Sequence, residues 1–284
     1  MRVIAPSSPF DMDAFGLGVE RLRARYRVSY DEGIAARTGF LAGDDARRRR
    51  ELEHAIDDPE VHAIVAARGG YGAMRVLAGI DPARVRAAGK VLVGFSDVTA
   101  IHALWARAGV CSIHGSMAAS LGRLPEPSVA RWAAALEGAV PAPIEGLAVV
   151  APGVVEGPLL GGNLALLAAM VGTPLLPRLD GAILFLEDVG EAPYRIDRMV
   201  TQLLLSGALE RLAGVVVGEL TRCGEGSAAL DVLAERLGSR GIPMVAGVPA
   251  GHVDDPLELP LGVIARLDAD QGVVTFLHGA VAPM

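Results

Sequence analysis

Residues 90–109 read KVLVGFSDVTAIHALWARAG. The apolar run Val91 to Val93 leads into Gly94-Phe95-Ser96-Asp97, and helical periodicity begins at once. Val98, Ile101, Leu104, Trp105 and Ala108 then share one face. A buried-type strand turning directly into an amphipathic helix is half of a βαβ unit. The turn sets Ser96 at the carboxyl end of a strand, where open parallel sheets place their ligands. Two readings of Ser96 follow. It caps the helix, with Asp97 favourable at the positive end of the dipole. Or it is a nucleophile on an elbow whose helix N-terminus offers N–H groups to an oxyanion. The usual elbow is G-x-S-x-G; Gly94 fits that pattern, and Val98 replaces the second glycine.

The flanks continue the alternation. Upstream, RVIAPSSP (2–9) reads as a strand ending in a turn, DMDAFGLGVERLRAR (11–25) as a helix and YRVSYD (26–31) as a short strand. DDARRRRELEHAI (44–56) is a helix opened by Asp44 or Asp45 and closed before Pro59. VHAIVAA (61–67) is a strand, RGGYG (68–72) a loop and AMRVLAGI (73–80) a helix, and GVCSIHG (109–115) follows as another short strand. Strands and helices alternating at this spacing predict an α/β fold with a parallel sheet, residues 1–122 forming a first domain. Prolines 125, 127, 141, 143, 152 and 158 surround one helix, SVARWAAALEGA (128–139), and mark residues 123–156 as a crossover. Residues 157–284 form a second domain: strands GAILFLED (181–188), AGVVVGEL (213–220) and PMVAGVP (243–249), helices from 194 and 228, and a β-hairpin, GVIARLDADQGVVTFL (262–277).

Composition bounds the function. The chain has 284 residues, 51% of them apolar, enough for a sizeable core. Its apolar runs are far shorter than the ~20 residues that span a bilayer. Met1 to Pro6 holds too short an apolar segment for a signal peptide, so a soluble cytoplasmic protein without membrane partner is expected. A net charge of −7 argues against nucleic-acid partners. The run Arg47 to Arg50 reads instead as a solvated helix face, with Arg47 opposite Glu51 and Arg49 opposite Glu53. Cys111 and Cys223 suggest neither a disulfide framework nor a metal cluster, and read as buried free thiols.

Three glycines in RGGYG let the backbone approach a ligand, yet the loop matches neither the P-loop nor G-x-G-x-x-G. A serine nucleophile needs a base, and the base an orienting acid. His54 and His62 lie in or beside regular elements, and His102 is on the elbow helix, pointing away from the turn. His252, in the loop PAGHVDDP (249–256), and His114, at a strand end, compete as base. Glu187, Asp188, Glu191 and Asp197 compete as acid. Spacing does not choose among them.

Five ordered stretches go further: RGGYGAMRVL, VGFSDVTAIH, GPLLGGNLALLAAMVGTP, LFLEDVGEAPYRIDRMVTQL and GVPAGH. Together they resemble the LD-carboxypeptidase family of serine peptidases over nearly the whole chain. The resemblance implies an N-terminal parallel α/β sandwich carrying the nucleophile elbow and a β-rich C-terminal domain supplying acid and base. It implies Ser96 as nucleophile, Glu187 as orienting acid and His252 as general base, with the backbone N–H groups of Asp97 and Gly70 as oxyanion donors. The implied reaction removes the terminal D-alanine from a murein tetrapeptide, or from its muropeptide or UDP-linked forms, in the cytoplasm, by a homodimer without cofactor or metal. Arg68 is a candidate partner for the substrate carboxylate, because a guanidinium fork matches it, and Tyr71 a candidate pocket wall. Two alternatives are a peptidase that detoxifies peptidyl-nucleotides, as microcin-immunity relatives do, and a non-catalytic nucleotide-binding α/β protein with RGGYG as phosphate cradle.

Overall fold

A computed structural model describes residues 1–281. The N-terminal part runs β1 (Arg2–Ile4), α1 (Met12–Arg23), α2 (Asp45–Asp57), β2 (Ala63–Ala66), α3 (Ala73–Val76), α4 (Pro82–Ala88), β3 (Val91–Gly94), α5 (Thr99–Ala108), β4 (Ser112–His114), α6 (Ala118–Leu121) and α7 (Glu126–Leu136). It continues through β5 (Ala148–Ala151), β6 (Val154–Asn163), α8 (Leu164–Ala169), β7 (Ile183–Val189), α9 (Pro193–Leu205), β8 (Gly214–Thr221), α10 (Ala228–Arg236), β9 (Met244–Ala246), β10 (Leu259–Leu261), β11 (Ile264–Asp268) and β12 (Val273–Phe276).

Local chemistry sets many of these limits. Asp11 caps α1 by accepting from the Ala14 N–H at 2.8 Å, and Asp44 caps α2 through Arg47 N–H at 2.7 Å. Asp81 caps α4, Pro82 occupies its first position, and Gly89 ends it in a left-handed conformation. The strand cores AIVA and VLVG are buried at every position, as expected for parallel strands covered on both faces.

Two mixed sheets result. The first has the order β1-β2-β3-β4-β10, parallel through β4, with β10 added antiparallel so that Leu259 faces His114. The second has the order β12-β11-β6-β7-β8-β9-β5, parallel from β6 to β9 and antiparallel at both flanks. On one face of the first sheet Phe15, Val19, Leu22, Leu121 and Trp132 form a core. On the other, Leu52, Val85, Ile101 and Leu104 merge with Leu160, Leu164, Leu167 and Leu184 of the second sheet's side. The two sheets therefore share one apolar layer through α5, β6 and α8.

Several sequence expectations are revised. YRVSYD forms no regular strand: only Ser29 bridges Arg2, after which Asp31 caps a 3₁₀ turn. AMRVLAGI is helical only over Ala73–Val76, since Gly79 takes a positive φ of 78° and Pro82 starts the next helix. Within residues 123–156, β5 and the start of β6 join the second sheet, while α7 packs Trp132 into the first. The strand β10 was not read from the sequence. The arginine run is a solvated face only in part: Arg50 is exposed and Arg49 pairs with Glu53 at 2.9 Å as expected, but the positions beside them turn inward. Arg48 is fully buried, its guanidinium donating to the carbonyls of Pro6 and Gly72 and to Asp45. Glu51 is buried too, accepting from Ala5 N–H at 2.7 Å and Arg47 at 3.0 Å. Loop carbonyls enclosed by the fold need donors, and this helix supplies them. Cys223 is buried and free, whereas Cys111 is half-buried.

Candidate active site

The turn after β3 is an elbow. Ser96 holds φ at +62°, a left-handed backbone that non-glycine residues seldom adopt. The position preceding the short 3₁₀ turn is Phe95, and no side chain caps it; the reading of Ser96 as helix cap fails. Gly94 leaves the room that the Val98 side chain fills, a Cβ there lying 2.8 Å from Val98 Cγ1. Such strain, held by surrounding structure, is typical of functional turns.

The two side chains that line up with Ser96 come from outside the first sheet's elbow, one on β7 and one in the loop after β9. Glu187 is fully buried on β7, and its Oε2 lies 2.7 Å from His252 Nδ1. His252 Nε2 lies 3.1 Å from Ser96 Oγ. A carboxylate only accepts, so Nδ1 carries the proton and Nε2 presents its lone pair to the serine hydroxyl. The imidazole is 22% exposed, reachable from solvent on one side. Its ring packs edge-on against Phe95, with centroids 5.0 Å apart. Thr221 Oγ1 donates to the His252 carbonyl at 2.8 Å, fastening the loop to the end of β8.

The competing residues have other partners. Asp188 accepts from Asn163 Nδ2 (3.1 Å), Ala165 N–H (2.9 Å) and Val189 N–H (2.8 Å), and burial raises its pKa. Glu191 and Asp197 pair with Arg195 and Arg236. His102 is buried between Ser112 Oγ and the Gly94 carbonyl, both at 2.8 Å, so it braces the elbow from behind; burial lowers its pKa to about 4. His114 is also enclosed, between the Phe95 and Phe185 rings, and burial holds its pKa well below the usual value. Neither is placed to take a proton from Ser96.

The glycine loop lies against the serine. A Cβ on Gly69 would stand 3.0 Å from Ser96 Cβ and 3.2 Å from its Oγ. Gly70 follows at φ +111°. Among the described residues the N–H groups of Gly70 and Asp97 make no hydrogen bond, leaving both free for a ligand. Beside the elbow opens a cleft of about 500 Å³, its walls including Phe10, Arg68, Phe95, Arg123, Val253 and Asp254. Arg68 donates to the Pro9 carbonyl at 2.6 Å, while Arg123 forms no side-chain hydrogen bond or ion pair within the described residues. The sequence reading missed Arg123, which follows Leu121-Gly122 with no motif to mark it. Tyr71 is 54% exposed, stands edge-on to Phe40 and does not line this cleft. No group of three or more metal-ligating side chains occurs among the described residues, and no described helix is long and apolar enough to cross a membrane.

Residues 1–115 match the family model of the LD-carboxypeptidase N-terminal domain, and residues 156–267 that of the LD-carboxypeptidase C-terminal domain. A putative carboxypeptidase of Streptomyces coelicolor is 41% identical over 289 residues, covering 96% of this chain and 91% of its own. The murein tetrapeptide carboxypeptidase of Pseudomonas aeruginosa is 33% identical over 289 residues, covering 95% and 93%. The crystal structure of muramoyltetrapeptide carboxypeptidase from Oxalobacter formigenes superposes with a TM-score of 0.87 at 31% identity, covering 100% of this chain and 99% of that one.

Proposed function

The chain belongs to the LD-carboxypeptidase family, and from that premise we propose that it removes the terminal D-alanine of a murein tetrapeptide by serine acyl transfer. The observation that carries this reading is the continuous chain Ser96 Oγ, His252 Nε2, His252 Nδ1, Glu187 Oε2, assembled across two sheets. Relatives named for murein peptides supply the substrate class.

In the proposed reaction Ser96 Oγ attacks the carbonyl carbon between the L-configured centre and D-alanine, and its proton passes to His252 Nε2. Glu187 holds the ring through Nδ1–H and stabilises the imidazolium. The N–H groups of Gly70 and Asp97 receive the oxyanion; losing one such donor typically costs ~10²–10³ in rate. The tetrahedral intermediate collapses, the C–N bond breaks, and the imidazolium returns the proton to the leaving amine of D-alanine. Water, deprotonated by the same ring, then attacks the acyl-enzyme and releases the tripeptide and the serine hydroxyl. A carboxypeptidase must also recognise a free carboxylate, and the cleft's guanidinium groups on Arg68 and Arg123 suit it. The cytoplasmic setting, recycling of wall fragments and a homodimer belong to the same proposal and rest on the family resemblance.

The test incubates purified, EDTA-treated protein with UDP-MurNAc-tetrapeptide and follows the tripeptide product by mass spectrometry, beside Ser96→Ala. Loss of one D-alanine with wild type only supports the proposal. Cleavage by neither protein refutes the substrate and turns attention to peptidyl-nucleotide conjugates. Equal cleavage by both refutes the nucleophile.

A further inference from the structure

The proposed oxyanion donors sit on two separate segments, the elbow and the glycine loop, and a contact must hold these in register. The Asp97 side chain provides one. It is 2% exposed and takes no part in the proton relay. Its Oδ2 accepts from Ser7 Oγ–H at 2.6 Å and from Ala73 N–H at 2.8 Å. Ser7 is buried in the turn after β1, and Ala73 directly follows the glycine loop. One carboxylate oxygen thus joins three segments.

Neighbouring groups grip the same loop. The Ser8 N–H donates to the Gly69 carbonyl at 3.3 Å, and Ser8 Oγ accepts from Tyr71 N–H at 3.1 Å. Ser8 also occupies the space beside Gly70, where a Cβ would come within 2.5 Å of its Oγ. Arg48 Nη1 donates to the Gly72 carbonyl at 2.8 Å. The loop is therefore fastened at Gly69, Tyr71, Gly72 and Ala73, and the Gly70 N–H between these points has no partner among the described residues.

We infer that the Asp97 carboxylate, acting with Ser7, is a positioning residue that fixes the glycine loop against the elbow so that the Gly70 and Asp97 N–H groups converge on one oxygen. Oxyanion donors act only within about 2.7–3.1 Å of the developing charge, so a small slide of one segment along the other separates them. Hydrogen bonds to an ionised carboxylate are short and directional, which suits a fixed spacer between two loops. The inference rests on Ser96 being the nucleophile and deepens that reading.

The experiment compares wild type, Asp97→Ala, Asp97→Asn and Ser7→Ala by three readouts: the rate constant for inactivation by diisopropyl fluorophosphate, kcat and KM on the tetrapeptide, and thermal melting. Phosphorylation of the serine also develops charge on an oxygen in the donor site, and it needs no knowledge of the natural substrate. The expected result for Asp97→Ala is a fall of ~10²–10³ in both the inactivation rate and kcat, with KM within about threefold. Asp97→Asn, which keeps an acceptor oxygen, regains tenfold or more of that loss, roughly the gap between a neutral hydrogen bond and none. A folded Asp97→Ala with the wild-type inactivation rate overturns the inference. Should Asp97→Ala fail to fold, Ser7→Ala, which removes one hydroxyl, decides: an unchanged inactivation rate overturns the inference and a loss of about tenfold supports it. Wild type that is inactivated by the probe yet leaves the tetrapeptide intact refutes the substrate alone, and the probe rates still judge Asp97. Wild type that neither reacts nor cleaves removes the nucleophile, and the inference with it.

Discussion

Replacing Glu187 by Gln isolates the charge that the proposed mechanism requires. Glu187 is fully buried, its Oε2 holds His252 Nδ1 at 2.7 Å, and its Oε1 has no hydrogen-bond partner. Glutamine fits the same volume, and its carbonyl oxygen can accept from Nδ1–H, so the ring keeps its place and the NH₂ takes the partnerless position. What disappears is the negative charge facing the imidazolium in the transition state. With charge centres about 4 Å apart and an effective dielectric of about 20, that attraction is ~4 kcal/mol. It converts to a fall of ~10³ in kcat. The assay measures D-alanine release at saturating tetrapeptide through a coupled D-amino acid oxidase, with binding of the tripeptide product as control. Unchanged product binding beside the lost rate is the expected pattern. A Gln variant within tenfold of wild type refutes the argument, because the carboxylate charge would then contribute under about 1.4 kcal/mol.

Gly69→Ala is expected to lower kcat by at least tenfold with little change in melting temperature, because its Cβ would press on Ser96 Cβ at 3.0 Å and Oγ at 3.2 Å; steady-state kinetics with a melting curve checks this. Arg123→Ala is expected to raise KM about tenfold, and Arg68→Ala less, since Arg68 is partly engaged by the Pro9 carbonyl. The comparison is made on the tetrapeptide and its C-terminal amide, for which the Arg123 effect should vanish. Stability should depend on pH through His102, which burial keeps neutral down to about pH 4 against a free value of 6.5. A depressed folded pKa means that the contribution is complete above pH 6.5 and lost as pH falls through 4, about 3 kcal/mol in all. Urea unfolding between pH 7 and pH 4 reads it, and His102→Gln should make that slope shallower, leaving the part that buried His114 contributes in the same direction.

The parallel α/β layer was legible because VLVG followed by an amphipathic run admits few other readings, and the same stretch singled out Ser96. The positive φ of Ser96 was less visible, since no second glycine completes the elbow pattern. Spacing alone did not separate Glu187 from Asp188, because adjacent residues on a strand point to opposite faces and nothing local says which face meets His252. The resemblance chose Glu187, and the geometry then showed Asp188 committed to Asn163 and to the start of α8. Arg48 and Glu51 were misjudged for a physical reason: charge-rich helices are usually solvated, and only tertiary packing reveals that Arg48 donates to the enclosed carbonyls of Pro6 and Gly72 while Glu51 accepts from Ala5 N–H and Arg47. β10 escaped notice because three residues with a central proline, Leu259-Pro260-Leu261, carry too little pattern to announce a strand.

That short strand has a consequence for how the chain is made. The fifth strand of the first sheet is encoded after five of the second sheet's seven strands, so on the ribosome the edge of β4 stays open until residue 261 has emerged. His252, whose Nε2 lies 3.1 Å from Ser96 Oγ, is in the same late segment, between β9 and β10. Closure of the sheet and arrival of His252 are therefore one event in time. A chain that ends earlier leaves that edge exposed and Ser96 without His252 beside it.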